Sequence, residues 1–409
     1  MPPADRPVKP APIFRLWVMM FLQFFIWGAW LPLIFGYLPT LGFTAWQQTI
    51  ILNAFPVSAI LAIFFSNPIA DRLFPAERFM AFSSLIAAIS IGVCGFVTSF
   101  WPFCIGMWIH CFFYAPTISM ASSIAFNALS DPKRDFGRVR VGGTIGWVVA
   151  SWPMAGLIGG SVGPEITYII AAIAAFCLAA FSLLLPHTPA RRSARHGLSW
   201  LGSFRHLAKP AISVLWIVTM LDAALRQWYY NWTDSFLQQI GIAENWVMPL
   251  MSIGQVSEIA AMAMLGYFLS RLGWKPMLMM GIAAQLIRFL VFALLPLQST
   301  VILVHVLHGF CYTFFFATVY IYINEVLPRD ARSSTQGMFN LMSLGVGPLI
   351  ANSFAPALFA NFTNSAGVTD FRGLFLIPIA TAIATLFILG VAFQTHADEP
   401  PVAPETPSV

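Results

Sequence analysis

The chain has 409 residues, of which 58% are hydrophobic, 15% aromatic and only 9% charged, and its mean hydropathy is +0.78. A soluble globular domain carries about 25% charged residues, so this composition excludes a soluble protein and predicts a polytopic membrane protein. The net charge of +5 does not indicate nucleic-acid binding, because the basic residues are distributed over separate loops.

Apolar runs of about 20 residues, the length of a membrane-spanning helix, occur twelve times in the chain. The predicted helices 1 to 6 cover 13–37, 46–70, 78–99, 102–129, 138–160 and 164–186. Helices 7 to 12 cover 211–238, 245–270, 274–296, 299–326, 332–361 and 372–395.

The longest polar insertion, 187–210, divides these helices into two groups of six. We therefore predict an N-terminal six-helix half (1–186), a central loop (187–210) and a C-terminal six-helix half (211–395). The tail 396–409 is rich in Pro, Glu and Thr and is predicted to be disordered.

The basic residues predict how the helices are oriented. Eighteen of the 21 Lys and Arg residues lie at the N-terminus, in the central loop or in loops on the same side of the membrane as both. The positive-inside rule then predicts that both termini and the central loop are cytoplasmic.

Two loops, six helices apart, have related sequences. The 2–3 loop reads SNPIADRLFPAERFM and the 8–9 loop reads GYFLSRLGWKPMLMM. Both resemble the loop signature of the major facilitator superfamily, which pairs an acidic and a basic residue with glycines. Asp71, Arg72 and Arg271 are the residues that match it, and we predict that they act in gating. Two six-helix halves of this kind place a substrate site near the midplane between them.

Five ionisable residues interrupt the predicted helices: Asp222, Arg226, Glu258, Arg288 and Glu325. Each costs roughly 2.5–3.5 kcal/mol to insert, which indicates a substrate path, a proton relay or an internal ion pair. Asp222 and Arg226 are four residues apart on helix 7, and this spacing favours pairing with each other.

Six helices carry a stripe of polar or aromatic residues, that is, a row of them along one face. These are Gln23, Trp27 and Trp30 in helix 1; His110, Tyr114 and Thr117 in helix 4; Arg140, Thr144 and Trp147 in helix 5; Gln227, Tyr230, Asn231 and Asp234 in helix 7; Gln255 and Glu258 in helix 8; His308, Tyr312 and Phe315 in helix 10. Such groups either hold helices together or line a polar cavity. Their number favours a shared cavity, and its amides and aromatic rings suit a neutral, polar, partly aromatic solute.

No pattern indicates metal or enzymatic chemistry. His305 and His308 have no third ligand at metal spacing, and the five cysteines show no CxxC spacing and are interpreted as small core residues. No GxSxG, HExxH or P-loop motif occurs. We therefore expect neither a cofactor nor a metal, and a protein that is not an enzyme.

Seven segments, in order from helix 1 to helix 11, resemble the nucleoside:proton symporter family of the major facilitator superfamily. They are FLQFFIWGAW (21–30), FFYAPT (112–117), RVGGTIGW (140–147), LPHTP (185–189), IGQVSE (253–258), IRFLVFA (287–293) and ARSSTQGMF (331–339). The resemblance implies nucleoside uptake across the bacterial inner membrane, coupled to proton entry. On matching positions it implicates Arg140, Thr144, Gln227, Gln255 and Glu258. We separately expect the carrier to be a monomer.

The chain departs from this family at two positions. Thr313 stands where the family has a helix 10 carboxylate, and Tyr230 stands where it has an Asn. Together with the stripes, this predicts a substrate site that also includes Trp147, Tyr230, His308, Tyr312 and Thr313. Glu258 is the first candidate for proton coupling and His308 the second.

Two alternatives remain open at this stage. One is a permease of the same fold for another neutral solute, such as a sugar or a modified nucleoside. The other is a membrane receptor or enzyme that kept the fold without transporting anything.

Overall fold

In a computed structural model of the protein, residues 13–66, 74–130, 132–159, 162–188, 209–327 and 329–394 are described. Helices dominate these ranges, and the described residues pair as strands only at isolated bridges such as Gly159 with Val162. The prediction of an all-α protein is confirmed. Asp71, Arg72, most of the central loop and the predicted disordered tail lie outside the described residues.

Twelve helical segments follow the predicted order. In the first half they are α1 Ile13–Thr40, α2 Ala45–Phe64, α3 Ala76–Cys94, α4 Phe100–Ala128, α5 Pro132–Ser151 and α6 Ile166–Ser182. In the second half they are α7 Pro210–Gln239, α8 Glu244–Leu272, α9 Trp274–Leu294, α10 Gln298–Val326, α11 Thr335–Phe362 and α12 Phe371–Ala392.

Helix α5 differs most from its predicted range of 138–160. It begins at Pro132, because proline is well accommodated in the first turn, where its missing N–H needs no partner. It ends at Ser151, shortly before Pro153, which cannot donate a helical hydrogen bond. The charged residues at its start therefore belong to the helix rather than to the loop.

The outer surface of the bundle is apolar. Nine helices in the described ranges are long and apolar enough to span a membrane, α6 is a shorter apolar helix, and α5 and α7 carry more polar residues. Large apolar side chains such as Phe82, Ile89 and Phe387 are more than half exposed. Such a surface is stable in lipid rather than in water, and it fits a multi-pass membrane protein.

The two halves repeat one packing pattern. In the first half α1 packs against α5 and α6, α3 against α4 and α6, and α2 against α4. In the second half α7 packs against α11 and α12, α9 against α10 and α12, and α8 against α10. The halves meet through α1 with α7, α2 with α11 and α5 with α8. This is the predicted arrangement of two six-helix halves.

Three helices contain π-helical turns, which the sequence analysis did not predict. They are Ala62–Ser66 in α2, Tyr312–Ala317 in α10 and Leu341–Val346 in α11. A π-turn adds a residue to the helical repeat and changes which side chains share a face, and such turns are frequent at functional sites.

Of the five cysteines, Cys94, Cys104, Cys111 and Cys311 are buried, as expected for small core residues, whereas Cys177 is exposed on α6. All five are free thiols.

Candidate functional site

A cavity of about 750 Å³ lies between the two halves. Its walls come from α1, α2, α4 and α5 on one side and from α7, α8, α10 and α11 on the other. It extends from Trp30 and His308 in the middle of the bundle to Tyr320 and Gln336, near the ends of α10 and α11 that adjoin the basic 10–11 loop.

At the opposite end of the bundle the two halves are in contact. The Asn352 amide nitrogen donates to the carbonyl of Leu52 at 2.8 Å, and Asn245 donates to the carbonyl of Ala155 at 2.8 Å. The rings of Phe35 and Phe359 pack edge to face at 5.4 Å. Within the described residues the bundle is therefore closed on the side away from the basic loops, and the cavity extends toward them.

Nine of the ten predicted substrate-site residues line this cavity: Arg140, Thr144, Trp147, Gln227, Tyr230, Gln255, Glu258, His308 and Tyr312. Thr313 does not line it. Its side chain is fully buried in the second half, and its hydroxyl has no hydrogen-bond partner among the described residues. Of the predicted gating residues, Arg271 is exposed at the end of α8 and lies 4.5 Å from the ring of Tyr267.

An aromatic cluster forms one part of the cavity wall. The ring of Trp27 stacks on Phe55 at 4.6 Å and meets the edge of Trp147 at 5.5 Å. Trp147 faces Tyr230 of the other half at 6.1 Å. Gly28 permits this arrangement, because a Cβ at that position would lie 2.9 Å from the Trp147 ring.

Amide side chains of α7 connect the cavity wall to the closed end. Gln227 donates to the side-chain oxygen Oδ1 of Asn231 at 3.0 Å, and Asn231 donates to Oδ1 of Asn352 at 2.9 Å. Asn352 is the residue that reaches Leu52 in the other half. A ligand that contacts Gln227 would therefore touch one end of a chain of amides that joins the halves.

Two further side chains, Gln255 and His308, contact the Tyr230 hydroxyl. The Gln255 amide nitrogen lies 3.4 Å from the Tyr230 hydroxyl, and His308 Nε2 lies 3.3 Å from it. The other ring nitrogen of His308, Nδ1, lies 2.6 Å from a guanidinium nitrogen of Arg288. Since guanidinium can only donate, Nδ1 is the acceptor, and Nε2 carries the hydrogen that His308 donates to Tyr230.

Close packing of α8 on α10 holds His308 in this position. A Cβ on Gly254 would lie 2.7 Å from His308 Cβ, and Gly309 packs directly on the backbone beside Glu258. Ser257 ties the two helices together by donating to the Val306 carbonyl at 2.6 Å. Side chains larger than hydrogen at either glycine would separate His308 from Tyr230.

Three charged side chains line the cavity. Arg140 lies over the ring of Phe24 at 4.1 Å, Arg226 lies over Phe316 at 4.4 Å, and Glu258 is partly exposed to the cavity. The pair expected between Asp222 and Arg226 does not form within the described chain. Arg226 donates instead to the Ser343 carbonyl, at 2.9 Å, in the π-turn of α11.

Part of the polar stripes holds helices together instead of facing the cavity. Gln23 donates to Thr117 at 2.8 Å, and Tyr114 donates to the Gln23 carbonyl at 2.5 Å. His110 is fully buried and donates from Nδ1 to the Ala87 carbonyl at 2.9 Å. The helix 4 stripe is therefore structural, as is Asp234, which accepts from Gln238 and packs against Gly36.

The polar residues of α11 were not among the cavity residues predicted from the sequence. Gln336, Asn340, Ser343 and Asn352 all line the cavity. The first three are spaced by four and three residues, which is the same helical signal that identified the other stripes. Within the described residues no group of three or more His, Cys, Asp or Glu side chains is arranged to hold a metal ion.

Comparison with known proteins gives consistent matches over nearly the whole chain. The sequence profile described as nucleoside H⁺ symporter matches residues 12–398. The putative nucleoside transporter YegT of Escherichia coli (strain K12) is 30% identical over 352 residues, 82% of each chain. The nucleoside permease NupG of Escherichia coli (strain K12) is 27% identical over 416 residues, 96% of this chain and 99% of that protein. The crystal structure of the nucleoside transporter NupG superimposes with a TM-score of 0.82 at 26% identity, covering 94% and 99% of the two chains.

Proposed function

The chain belongs to the nucleoside H⁺ symporter family, a family of membrane transporters and not of enzymes, and from this premise we propose how it recognises and moves its substrate. The proposal is that a nucleoside binds in the 750 Å³ cavity between the halves and crosses the membrane together with protons. The observation that carries it is the cavity wall, where aromatic faces from both halves lie beside amide groups.

The wall matches the two parts of a nucleoside. The base would stack against Trp147 and Tyr230, since both rings face the cavity from opposite halves. Gln227 and Gln255 would pair with base edges or ribose hydroxyls, because amides supply both donors and acceptors. Arg140, Thr144, His308 and Tyr312 would complete the wall around the ligand.

The basic loops support one orientation of the carrier in the membrane. The positive-inside rule assigns the face bearing these loops to the cytoplasm, so both termini would be cytoplasmic. The cavity opens toward that face, and the structure would then be the inward-facing state. Rocking of residues 1–186 against 211–395 would expose the same site to the outside, with the loops carrying Asp71, Arg72 and Arg271 acting in the gating. The carrier would work as a monomer in the inner membrane.

Glu258 is the residue we propose for proton coupling. It is a carboxyl group on the cavity wall, within the electric field of Arg140 and Arg226, and a ligand in the cavity would lie beside it. His308 is less suited to the role, because its Nδ1 is already occupied by the Arg288 guanidinium and has no room for a second proton. Thr313 has no titratable group and lies outside the cavity.

The proposal is tested by uptake into proteoliposomes of the purified protein. We expect labelled uridine or adenosine to accumulate when a proton gradient is imposed, and labelled glucose to remain at background. Accumulation of the sugar alone would assign the cavity to another neutral solute. Binding without any uptake, with or without the gradient, would indicate a receptor and contradict transport.

A further inference from the structure

An aspartate and an arginine lie buried beneath the cavity without contacting each other. Asp222 on α7 and Arg288 on α9 are both 0% exposed. Neither carboxylate oxygen of Asp222 makes a hydrogen bond within 3.5 Å among the described residues, although the Gln285 side chain lies beside it, and no described carboxylate lies within 4.0 Å of Arg288. An unpaired charge in a membrane interior is costly, so this arrangement requires an explanation.

Arg288 is held entirely by neutral partners. It donates to His308 Nδ1 at 2.6 Å and to the Gln285 side-chain oxygen, and its guanidinium lies 3.9 Å from the centre of the Tyr229 ring. Its Nε has no partner. An arginine stays protonated in proteins, so the positive charge at this place is permanent.

Asp222 is therefore the group in this cluster that can change its charge. A neutral, protonated Asp222 is compatible with the observed lack of partners, because it needs no counter-ion. An ionised Asp222 would attract the guanidinium groups of Arg226 and Arg288, whose charges both act on it. Arg226 bonds the Ser343 carbonyl. Arg288 instead keeps one N–H, at Nε, without a partner among the described residues, and it shares Gln285 with Asp222. Arg288 is therefore the arginine that can take up the new bond. Arg288 thus has two alternative partners, the imidazole of His308 and the carboxylate of Asp222.

A change in the partner of Arg288 would alter the substrate cavity, because His308 also contacts Tyr230 in the cavity wall. While Arg288 donates to Nδ1, the hydrogen of His308 is fixed on Nε2 and points to the Tyr230 hydroxyl, 3.3 Å away. If Arg288 moved to Asp222, Nδ1 would lose its donor and the hydrogen would no longer be fixed on Nε2. Tyr230, which also contacts Gln255 at 3.4 Å, would then lose its defined orientation.

We propose that Asp222 is a second proton-binding residue, which positions the substrate site by competing with His308 for Arg288. Protonation of the Asp222 carboxylate leaves Arg288 on His308 and favours ligand binding; release of that proton to water draws Arg288 away and weakens binding. One O–H bond of Asp222 forms or breaks, with water as the proton's source or acceptor, and one hydrogen bond of Arg288 is exchanged between His308 and Asp222. His308 stays neutral throughout, with its single ring hydrogen on either nitrogen. The part of the inference that concerns ligand affinity rests on the proposed function, whereas proton binding at Asp222 does not.

Other titratable groups around this site come from four helices. They are Arg226, Tyr229 and Tyr230 on α7, Glu258 on α8, Arg288 on α9, and His305, His308 and Cys311 on α10. The described part of α11 has no titratable side chain, and that of α12 has only Arg372 at its start. Among these groups Asp222 and Glu258 are the carboxyls, so the two must be separated by experiment.

Infrared difference spectroscopy of the purified protein tests proton binding without any nucleoside. A protonated carboxyl gives a C=O stretching band, and we expect one such band to disappear as the pH is raised. Asp222→Asn should remove the band. Asp234→Asn should keep it, because this matched carboxyl on the same helix bonds Gln238 and lies away from Arg288. If Asp222→Asn retains every carboxyl band of the parent protein, the inference is wrong.

Equilibrium binding of labelled uridine and adenosine tests the coupling to the cavity. In the parent protein we expect affinity to fall at least about tenfold as pH rises, the effect of one lost charged hydrogen bond. Asp222→Asn should bind tightly across the range, and Asp222→Glu should restore the dependence. Glu258→Gln should keep the fall in affinity that the parent protein shows as pH rises. His308→Gln should abolish this fall but keep the infrared band of Asp222.

An Asp222→Asn profile that superimposes on the parent profile would contradict the inference. If neither nucleoside binds at any pH but the Asp222 band still titrates, the proposed substrate is wrong and the proton site stands.

Discussion

His110 in α4 and His308 in α10 occupy equivalent positions in the two halves, each ten residues after the first residue of its helix. Both are buried and both use Nδ1 in a hydrogen bond to the helix packed beside them. His110 donates to the carbonyl of Ala87 in α3, whereas His308 accepts from the guanidinium of Arg288 in α9. One fold position thus serves packing in the first half and a charged network in the second.

The same division extends over the whole cavity. In the second half, ionisable residues are buried within the helices or line the wall at several places: Asp222, Arg226, Asp234, Glu258, Arg288, His305 and His308. The first half contributes mainly aromatic faces such as Trp27 and Trp147, with Arg140 as its cavity charge. The repeat supplies the scaffold, and this concentration of ionisable groups supports our proposal that proton coupling resides in the second half.

The largest expected effect follows from removing the cavity carboxyl of the second half. Glu258→Gln keeps the side-chain shape and removes its titration, so gradient-driven accumulation should be abolished while downhill nucleoside exchange persists. Proteoliposome uptake with and without a proton gradient measures both. Glu325→Gln, an exposed glutamate at the end of α10, is the matched control and should accumulate normally. Continued, pH-dependent accumulation by Glu258→Gln would move the coupling site elsewhere.

The two equivalent histidines provide the next comparison. His308→Leu leaves the buried Arg288 short of a partner and should weaken nucleoside binding by about 3 kcal/mol or more. His110→Leu removes one bond to a carbonyl and should cost about 1–3 kcal/mol of stability without changing affinity. Binding isotherms and thermal melts of both variants separate these effects. Equal losses of affinity in the two variants would show that the halves do not divide their roles in this way.

A smaller effect is expected from the amides. Gln227→Ala and Gln255→Ala should each weaken nucleoside binding by about 1–3 kcal/mol, because a polar group of the ligand loses its partner. Gln23→Ala in the first half breaks the bond to Thr117 and should lower stability while leaving affinity unchanged. Parent-like dissociation constants for both cavity variants, at normal expression, would place the ligand elsewhere.

The sequence predicted the helices and most of the cavity because both depend on periodicity and hydropathy. Twelve apolar runs correspond to α1–α12. The residues of α5 and α8 identified by spacing line the cavity, as do Gln227 and Tyr230 of α7. The stripe of helix 4 was interpreted wrongly as cavity-facing, since a polar stripe looks the same whether it meets a ligand or a neighbouring helix. Only the packing of α4 against α1 and α3 distinguishes these cases.

The errors in helix 10 have a different physical cause. A regular helix places Phe315 with His308 and Tyr312, yet the cavity is lined by His308, Tyr312, Phe316 and Tyr320, each four residues after the previous one. The π-turn Tyr312–Ala317 accommodates this longer repeat and leaves Thr313 and Phe315 buried. Likewise, Arg226 does not pair with Asp222, because it donates to the Ser343 carbonyl in the π-turn of α11. Local sequence spacing does not reveal such turns.

An experimental structure of the protein with bound uridine or adenosine tests the central claim most directly. We expect density for the base against the cavity faces of Trp147 and Tyr230, with Gln227 and Gln255 within hydrogen-bond distance of the ligand. Density elsewhere, with these four side chains in contact only with solvent or each other, would contradict it.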